Sequence, residues 1–290
     1  MTSTTDSEFL YNYRRNPSAL AGTGILLFLI FVVLFGPLLV AQDPYDIAAL
    51  DLMDAYKPPA WMEEGDATYL LGTDGQGRDL LAAIVYGSRI SLFIGLTAMV
   101  CSLLIGTCLG LAAGYNGGWL DSFIMRVADV QLSFPSMLIA LFLMSAFGAG
   151  IDKILIALTC VGWVVYARTV RGSTLSEKQK EYVQAAIVAG LSRRKIITRH
   201  ILPNVMTPLI VIATIQVGAF VLIEASLSFL GVGVPITEPS LGLLVKNGFD
   251  VLLSGLWWTS VFPGAFIMLI VFGINLFGDF LRDELNPGLR

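Results

Sequence analysis

The sequence predicts an all-α integral membrane protein with six transmembrane helices. Three observations carry that reading. Of 290 residues, 56% are hydrophobic and 14% charged, with a mean hydropathy of +0.75, whereas about a quarter of a typical soluble domain is charged. The charges are clustered, which leaves long windows with none. Acidic and basic clusters also fall in different connecting segments, an asymmetry that membrane topology produces.

Residues 1–18 form a polar N-terminal tail that carries Arg14 and Arg15. The uncharged window Asn16–Gln42 then supplies a first helix over 19–41. It reaches the roughly 20 apolar residues needed to cross a bilayer and exceeds the about 7 to 15 of a cleaved signal peptide. Residues 42–89 form a loop with nine acidic groups against three basic ones. A core of five helices follows over 90–280. The windows Ile90–Leu120, Val130–Ile151, Ile201–Ile223 and Val251–Gly278 supply four of them. The other uses the shorter uncharged run Ile154–Ala167, extended to Ile151–Arg171. Asp152 and Lys153 then sit at one interface, and Arg168 and Arg171 snorkel to the other. Pro135 and Pro208 fall inside their windows and predict kinked or broken helices. Residues 281–290 are a C-terminal tail.

Orientation follows from charge. Residues 166–200 carry eight basic groups against Glu177 and Glu181, so the positive-inside rule puts them in the cytoplasm. Counting spans backwards puts 42–89 outside and both termini inside, in agreement with Arg14 and Arg15 before the first helix.

Several chemistries find no support. His200 is the lone histidine, and Cys101, Cys108 and Cys160 lie in apolar windows without metal-binding spacing. There is thus no imidazole pair for zinc and no Ser/His/Asp set. No Gly-Lys dipeptide occurs, so the chain lacks a phosphate-cradling P-loop. Gly72-Thr-Asp-Gly-Gln-Gly-Arg-Asp79 lacks the alternating oxygen ligands of a calcium loop and reads as a tight turn, with Asp74 or Asp79 capping the next helix. Asp129 and Glu224 lie within spans, where carboxylates are costly. With Gln131 and Gln216 they are candidates for a substrate path or proton relay; hydrogen-bonded structural groups are the competing reading.

The segment 172–203 between the fourth and fifth helices is too polar to span. Its part from Glu181 to Pro203 reads as helix, turn, helix. Ala185, Ala186 and Ala189 are strong helix formers, Gly190 suits a left-handed C-terminal cap, Ser192 can cap the next turn, and Pro203 marks entry to the fifth span. Ala186 and Gly190, four apart, are expected to share a face that a partner's backbone approaches closely.

Here the sequence resembles the membrane subunits of ABC importers, whose cytoplasmic signature is Glu-Ala-Ala, three residues, Gly, nine residues, Ile, one residue, Leu-Pro. Ala185, Ala186, Gly190, Leu202 and Pro203 fall in register, while Gln184 replaces the glutamate and His200 the isoleucine. Leu71–Asp79, Tyr86–Leu92, Arg199–Asn204, Ala225–Gly231 and Phe277–Asp283 are similar to the dipeptide/oligopeptide permease branch. The resemblance implies a type I importer permease of the bacterial inner membrane. It also implies a second permease, two ATPases that hold ATP and magnesium, and an extracytoplasmic binding protein. This chain would hold no cofactor and contact membrane lipid but no nucleic acid. Glu181, Gln184, Ala185, Ala186, Ala189, Gly190, Arg193, Arg194 and Pro203 would form the ATPase-coupling element. The rival reading is an ion-coupled secondary transporter or channel that uses Asp129 and Glu224.

Overall fold

A computed structural model describes residues 10–40, 42–44, 46, 50–235, 237–238 and 240–285. Its long elements are α1 (Pro17–Leu39), α2 (Leu80–Asn116), α3 (Gly118–Leu132), α4 (Ser136–Phe147), α5 (Ile151–Lys178), α6 (Glu181–Val188), α7 (Arg193–Ile196), α8 (Leu202–Phe229), α9 (Leu241–Asp250) and α10 (Trp258–Leu285). A π-helical turn, Ile197–Ile201, joins α7 to α8 without a break. Among the described residues the only extended pairing is a bridge between Thr73 and Asp79.

Five helices, α1, α2, α5, α7–α8 and α10, are long and apolar enough to cross a membrane, and α3 with α4 makes a sixth passage bent by 89°. The expected third helix over 130–151 is therefore broken. Pro135 has no N–H to donate and takes extended backbone angles (φ −56°, ψ 130°), so α4 restarts at Ser136, whereas Pro208 sits inside α8 without breaking it. Other boundaries also move. The second helix starts at Leu80 rather than 90, because Arg89 ends the charge-free window but points outward from an unbroken helix. The fourth runs to Lys178, so 172–178 continues α5 rather than starting a connector. The last helix reaches Leu285 through the charged residues Asp279, Arg282, Asp283 and Glu284. The tail positions 1–9 and 286–290 lie outside the described residues.

The central packing unit is α2 against α5. Ala98, Ser102, Gly106, Gly110 and Gly114 recur every fourth residue along α2, and all are buried. A Cβ on Gly106 would stand 2.5 Å from the carbonyl oxygen of Trp163, and one on Gly110 would stand 2.5 Å from that of Ala167. Without side chains, the two backbones pack directly, which is how helices associate where lipid is as apolar as leucine. Next to this pair, α8 fits against Gly95 of α2, and a Cβ there would be 2.8 Å from Val221 Cγ2. α10 covers α8, and α1 lies outermost, docked through Gly22 on Leu276 and Phe277. Leu27, Phe31, Leu34 and Phe35 of α1 remain exposed, as a lipid-facing helix requires.

At the acidic end of the bundle, residues 50–79 fold into an ordered lobe. Thr73 N–H donates to the Lys57 carbonyl at 3.0 Å, and Lys57 N–H donates to Thr73 Oγ1 at 2.8 Å. The Gly72–Asp79 stretch is a tight turn, as expected. Asp74 accepts from Gln76 N–H, Arg78 N–H and, at 2.7 Å, Arg78 Nε, and both side chains are buried. Asp79 caps α2 by accepting from Leu81 N–H at 3.1 Å. Nearby, Lys57 Nζ bridges Asp54 at 2.7 Å and Asp66 at 3.0 Å, while Tyr69 donates to Asp54 at 2.6 Å. The Thr68 N–H and then Lys57 hold the Asp66 carboxyl down at about 2, from an ordinary 3.8. Hydrogen bonding to Asp54, then burial, pushes the Tyr69 hydroxyl up to about 12.

Two outcomes follow. Gly110→Leu forces a side chain against the Ala167 carbonyl and should cost about 1–3 kcal/mol, read as a clear fall in the detergent melting temperature. Gly172→Ala, with nothing within 4 Å of the added carbon, should leave that temperature unchanged or slightly raised. In the lobe, a depressed carboxyl stabilises the fold above its unfolded value and loses that contribution as pH falls towards its folded one. Protection of the amides over residues 54–73, corrected for the intrinsic pH dependence of exchange, should fall between pH about 4 and about 2, and Asp66→Asn should flatten that step.

Candidate functional site

The basic end of the bundle carries a folded segment rather than a loose connector. α6 is amphipathic: Val183 and Ala186 point inward, and Glu181, Gln184, Ala185, Val188 and Ala189 point out. Inside, Val183 and Ala186 join Tyr115, Tyr166, Val170, Ile196, Ile201, Val205 and Leu209 in one apolar cluster drawn from α2, α5, α7 and α8. The helix ends in a Schellman cap. Gly190 has φ +74°, its N–H donates to the Ile187 carbonyl at 3.0 Å, and the Leu191 N–H donates to that of Ala186 at 3.1 Å. Only a glycine takes that conformation without strain. Ser192 occupies the next N-cap position, but its side chain makes no capping bond, so the expected side-chain cap is not formed.

The expectation that Ala186 and Gly190 share a partner-facing surface does not hold. Ala186 is 6% exposed and belongs to the chain's own core. The helix stops before Gly190, and the left-handed turn removes the i, i+4 relation on which the expectation rested. The outward surface is built instead from Ala185, Ile187, Val188, Ala189 and Gly190, flanked by Arg193 and Arg194. Val188, 88% exposed, is its apolar tip. A Cβ on Gly190 would meet nothing within 4 Å, so that side of the turn is open.

Polar contacts fasten the segment at both ends. Gln184 Nε2 donates to the Lys178 carbonyl at 2.7 Å, and Lys178 Nζ donates to the Tyr115 carbonyl at the end of α2, also at 2.7 Å. Tyr182 donates to Glu177, which Lys180 also bridges. Asn204 Nδ2 donates to the Tyr182 oxygen at 3.1 Å and to the His200 carbonyl at 2.7 Å. Burial, then the Glu177 bond, pushes the Tyr182 hydroxyl up to about 12, so it stays a donor at neutral pH. Tyr182, Glu177, Lys178 and Asn204 were not among the sequence candidates. Pro203 lies exposed beside them in the first turn of α8.

The four residues assigned to a path or relay are not brought together. Asp129 ends α3 in an exposed ion pair with Arg168 of α5. Gln131 accepts from Trp163 Nε1 at 3.0 Å and donates to the Val161 carbonyl at 2.9 Å, which ties α3 to α5. Glu224 is 0% exposed and accepts from Ser91 Oγ at 2.7 Å and Ser228 Oγ at 2.8 Å, locking α8 onto α2. Gln216 is half-buried on α8. The geometry therefore favours the structural reading of Asp129, Gln131 and Glu224 over an ion relay. Among the described residues no cluster of three or more His, Cys, Asp or Glu could hold a metal.

The chain matches the family model for the binding-protein-dependent transport system inner membrane component over residues 106–290. It matches the model for the N-terminal transmembrane domain of oligopeptide transport permease C over residues 7–59. It is 40% identical to the dipeptide transport system permease protein DppC of Bacillus subtilis, with 96% of this chain and 84% of that one covered. Identity to the di/tripeptide transport system permease protein DppC of Pseudomonas aeruginosa is 38%, over 98% and 92%. The oligopeptide permease protein OppC of Bacillus subtilis is 37% identical over 97% and 89%. Among solved structures, an inward-facing form of the MetNI methionine ABC transporter contains a chain with the same fold. The TM-score is 0.56 at 18% identity, covering 70% of this chain and 96% of that one. The amphipathic α6 with its glycine cap, the six-passage helical fold and full-length relatives agree: this chain belongs to the binding-protein-dependent transport system inner membrane components, within the dipeptide and oligopeptide permease branch.

Proposed function

We propose that this chain is one permease of an ATP-driven bacterial importer that passes di- or oligopeptides across the inner membrane. A second, homologous permease completes the path, two ATPases with ATP and magnesium dock beneath, and an extracytoplasmic binding protein delivers the peptide. Both termini and the segment from Glu181 to Pro203 face the cytoplasm. The single observation that carries the reading is the two-sided α6. Its inner face is spent on the chain's own core, while an apolar tip with two arginines beside it is left outward with no function in this chain alone. The chain has no phosphate loop of its own, so the energy enters through that surface. Peptide as cargo rests on the names of the relatives.

The reading is tested with the purified complex in liposomes. Uptake of a radiolabelled dipeptide or oligopeptide should require the ATPases and ATP and should persist when the proton gradient is collapsed. Gradient-driven uptake by this chain without ATPases would overturn it. Val188→Glu should reduce ATPase recovery with the permease by at least about tenfold, as loss of a central interface contact does, without lowering the melting temperature. Ala186→Leu should do the reverse, destabilising the permease itself because its side chain enters a filled core. For orientation, single cysteines at Glu63 and Arg194 in a cysteine-free background should label from opposite sides of the membrane. Labelling of both from outside would refute the topology.

A further inference from the structure

Among the described residues, the hydroxyl of Tyr182 is the one atom through which α5, α6 and α8 share a continuous line of hydrogen bonds. On one side, it donates to Glu177, in the last turn of α5, and Lys180 bridges the same carboxylate. On the other side, it accepts from Asn204 Nδ2 at 3.1 Å, and that same amide holds the His200 carbonyl at 2.7 Å. His200 lies in the π-helical turn Ile197–Ile201, and Pro203 follows after Leu202. Proline has no N–H to give to the helix, and π turns have a looser hydrogen-bond ladder than an α-helix. The start of α8 therefore lacks one backbone ladder bond between the segment and the span. The Asn204 side chain supplies a bond across it, and Tyr182 connects that bond to α6 and α5.

We propose that Tyr182 is a positioning residue for coupling: it makes α8 follow the α5–α6 unit when the docked ATPases move α6. The proposal rests on the reading of α6 as the ATPase-docking element. Without the hydroxyl, the Lys180–Glu177 pair and the Asn204–His200 bond both survive, but the line divides between α6 and α8. Docking is untouched, since Tyr182 lies away from the outward tip at Val188 and Gly190. What weakens is the transfer of displacement into the span that continues from the π turn, because the apolar packing of Val183 and Ala186 on Val205 and Leu209 is less directional than the hydrogen-bonded line.

The test is the ratio of peptide imported to ATP hydrolysed, measured with the complete complex in liposomes. Tyr182→Phe keeps the ring and removes one oxygen. It should leave ATPase recovery and melting temperature at the parent level and lower the transport-to-hydrolysis ratio several-fold. Asn204→Ala should lower the ratio similarly, and the double variant should be no worse than the more affected single one, because both cut the same line. A parent-like ratio in Tyr182→Phe, a fully additive double variant, or transport and hydrolysis falling in equal proportion would overturn the proposal. If the parent complex itself shows no ATP-dependent uptake, the docking reading fails instead, and that is visible before any variant is measured.

Discussion

The distance between the α2 and α5 backbones governs the rest of this molecule. Hydrocarbon gives two apolar helices little reason to prefer each other over lipid, so association depends on close van der Waals fit. Gly106, Gly110 and Gly114 provide that fit by bringing the α5 main chain down onto α2. The approach fixes where both helices end. At one end it sets Asp79 and the acidic lobe above the bundle. At the other it puts Tyr115 beside Lys178, next to the apolar cluster that Val183 and Ala186 of α6 cover.

Polar groups inside the bundle follow the same logic. Glu224 would be expensive in hydrocarbon if it stood alone. Serine hydroxyls from α2, from its own helix and from Ser240 before α9 satisfy it and turn a liability into a crosslink. Gln131 does the same between α3 and α5 with both ends of its amide. These contacts are directional where glycine packing is not. The seam therefore sets the spacing of the helices, while the polar ties set their register.

Much of this was legible in the sequence for a physical reason. Charge is so costly in a bilayer that its absence marks spans almost without regard to context, which is why five windows and the Ile151 start of the remaining helix could be read directly. The glycine cap at Gly190 was legible because few residues tolerate positive φ. Misreadings arose where one residue has two physical meanings. Arg89 looks like the end of a span when charge is counted, yet a long cation can lie on the surface of a continuing helix. Ala186 looks like an open contact when spacing is read along an ideal helix, but spacing cannot tell which side the core is on. Asn204 closes the Arg199–Asn204 stretch, but nothing in that stretch points to Tyr182; their meeting depends on where α6 folds back over α8, which is tertiary information. The 106–110–114 glycine repeat, by contrast, lies wholly within the sequence, as a pattern of side-chain size that neither charge nor hydropathy registers.

The burial of Ala186 gives the signature segment two separate addresses. Its inward half answers to the chain's own core and has to keep its size whatever the cell asks of the transporter. Its outward half, at Ala185, Val188 and Ala189, is bound by no internal packing and can drift in step with whichever surface it meets. On the proposed docking role, a permease built this way could change partner without refolding, through a handful of exposed positions on and just after one eight-residue helix.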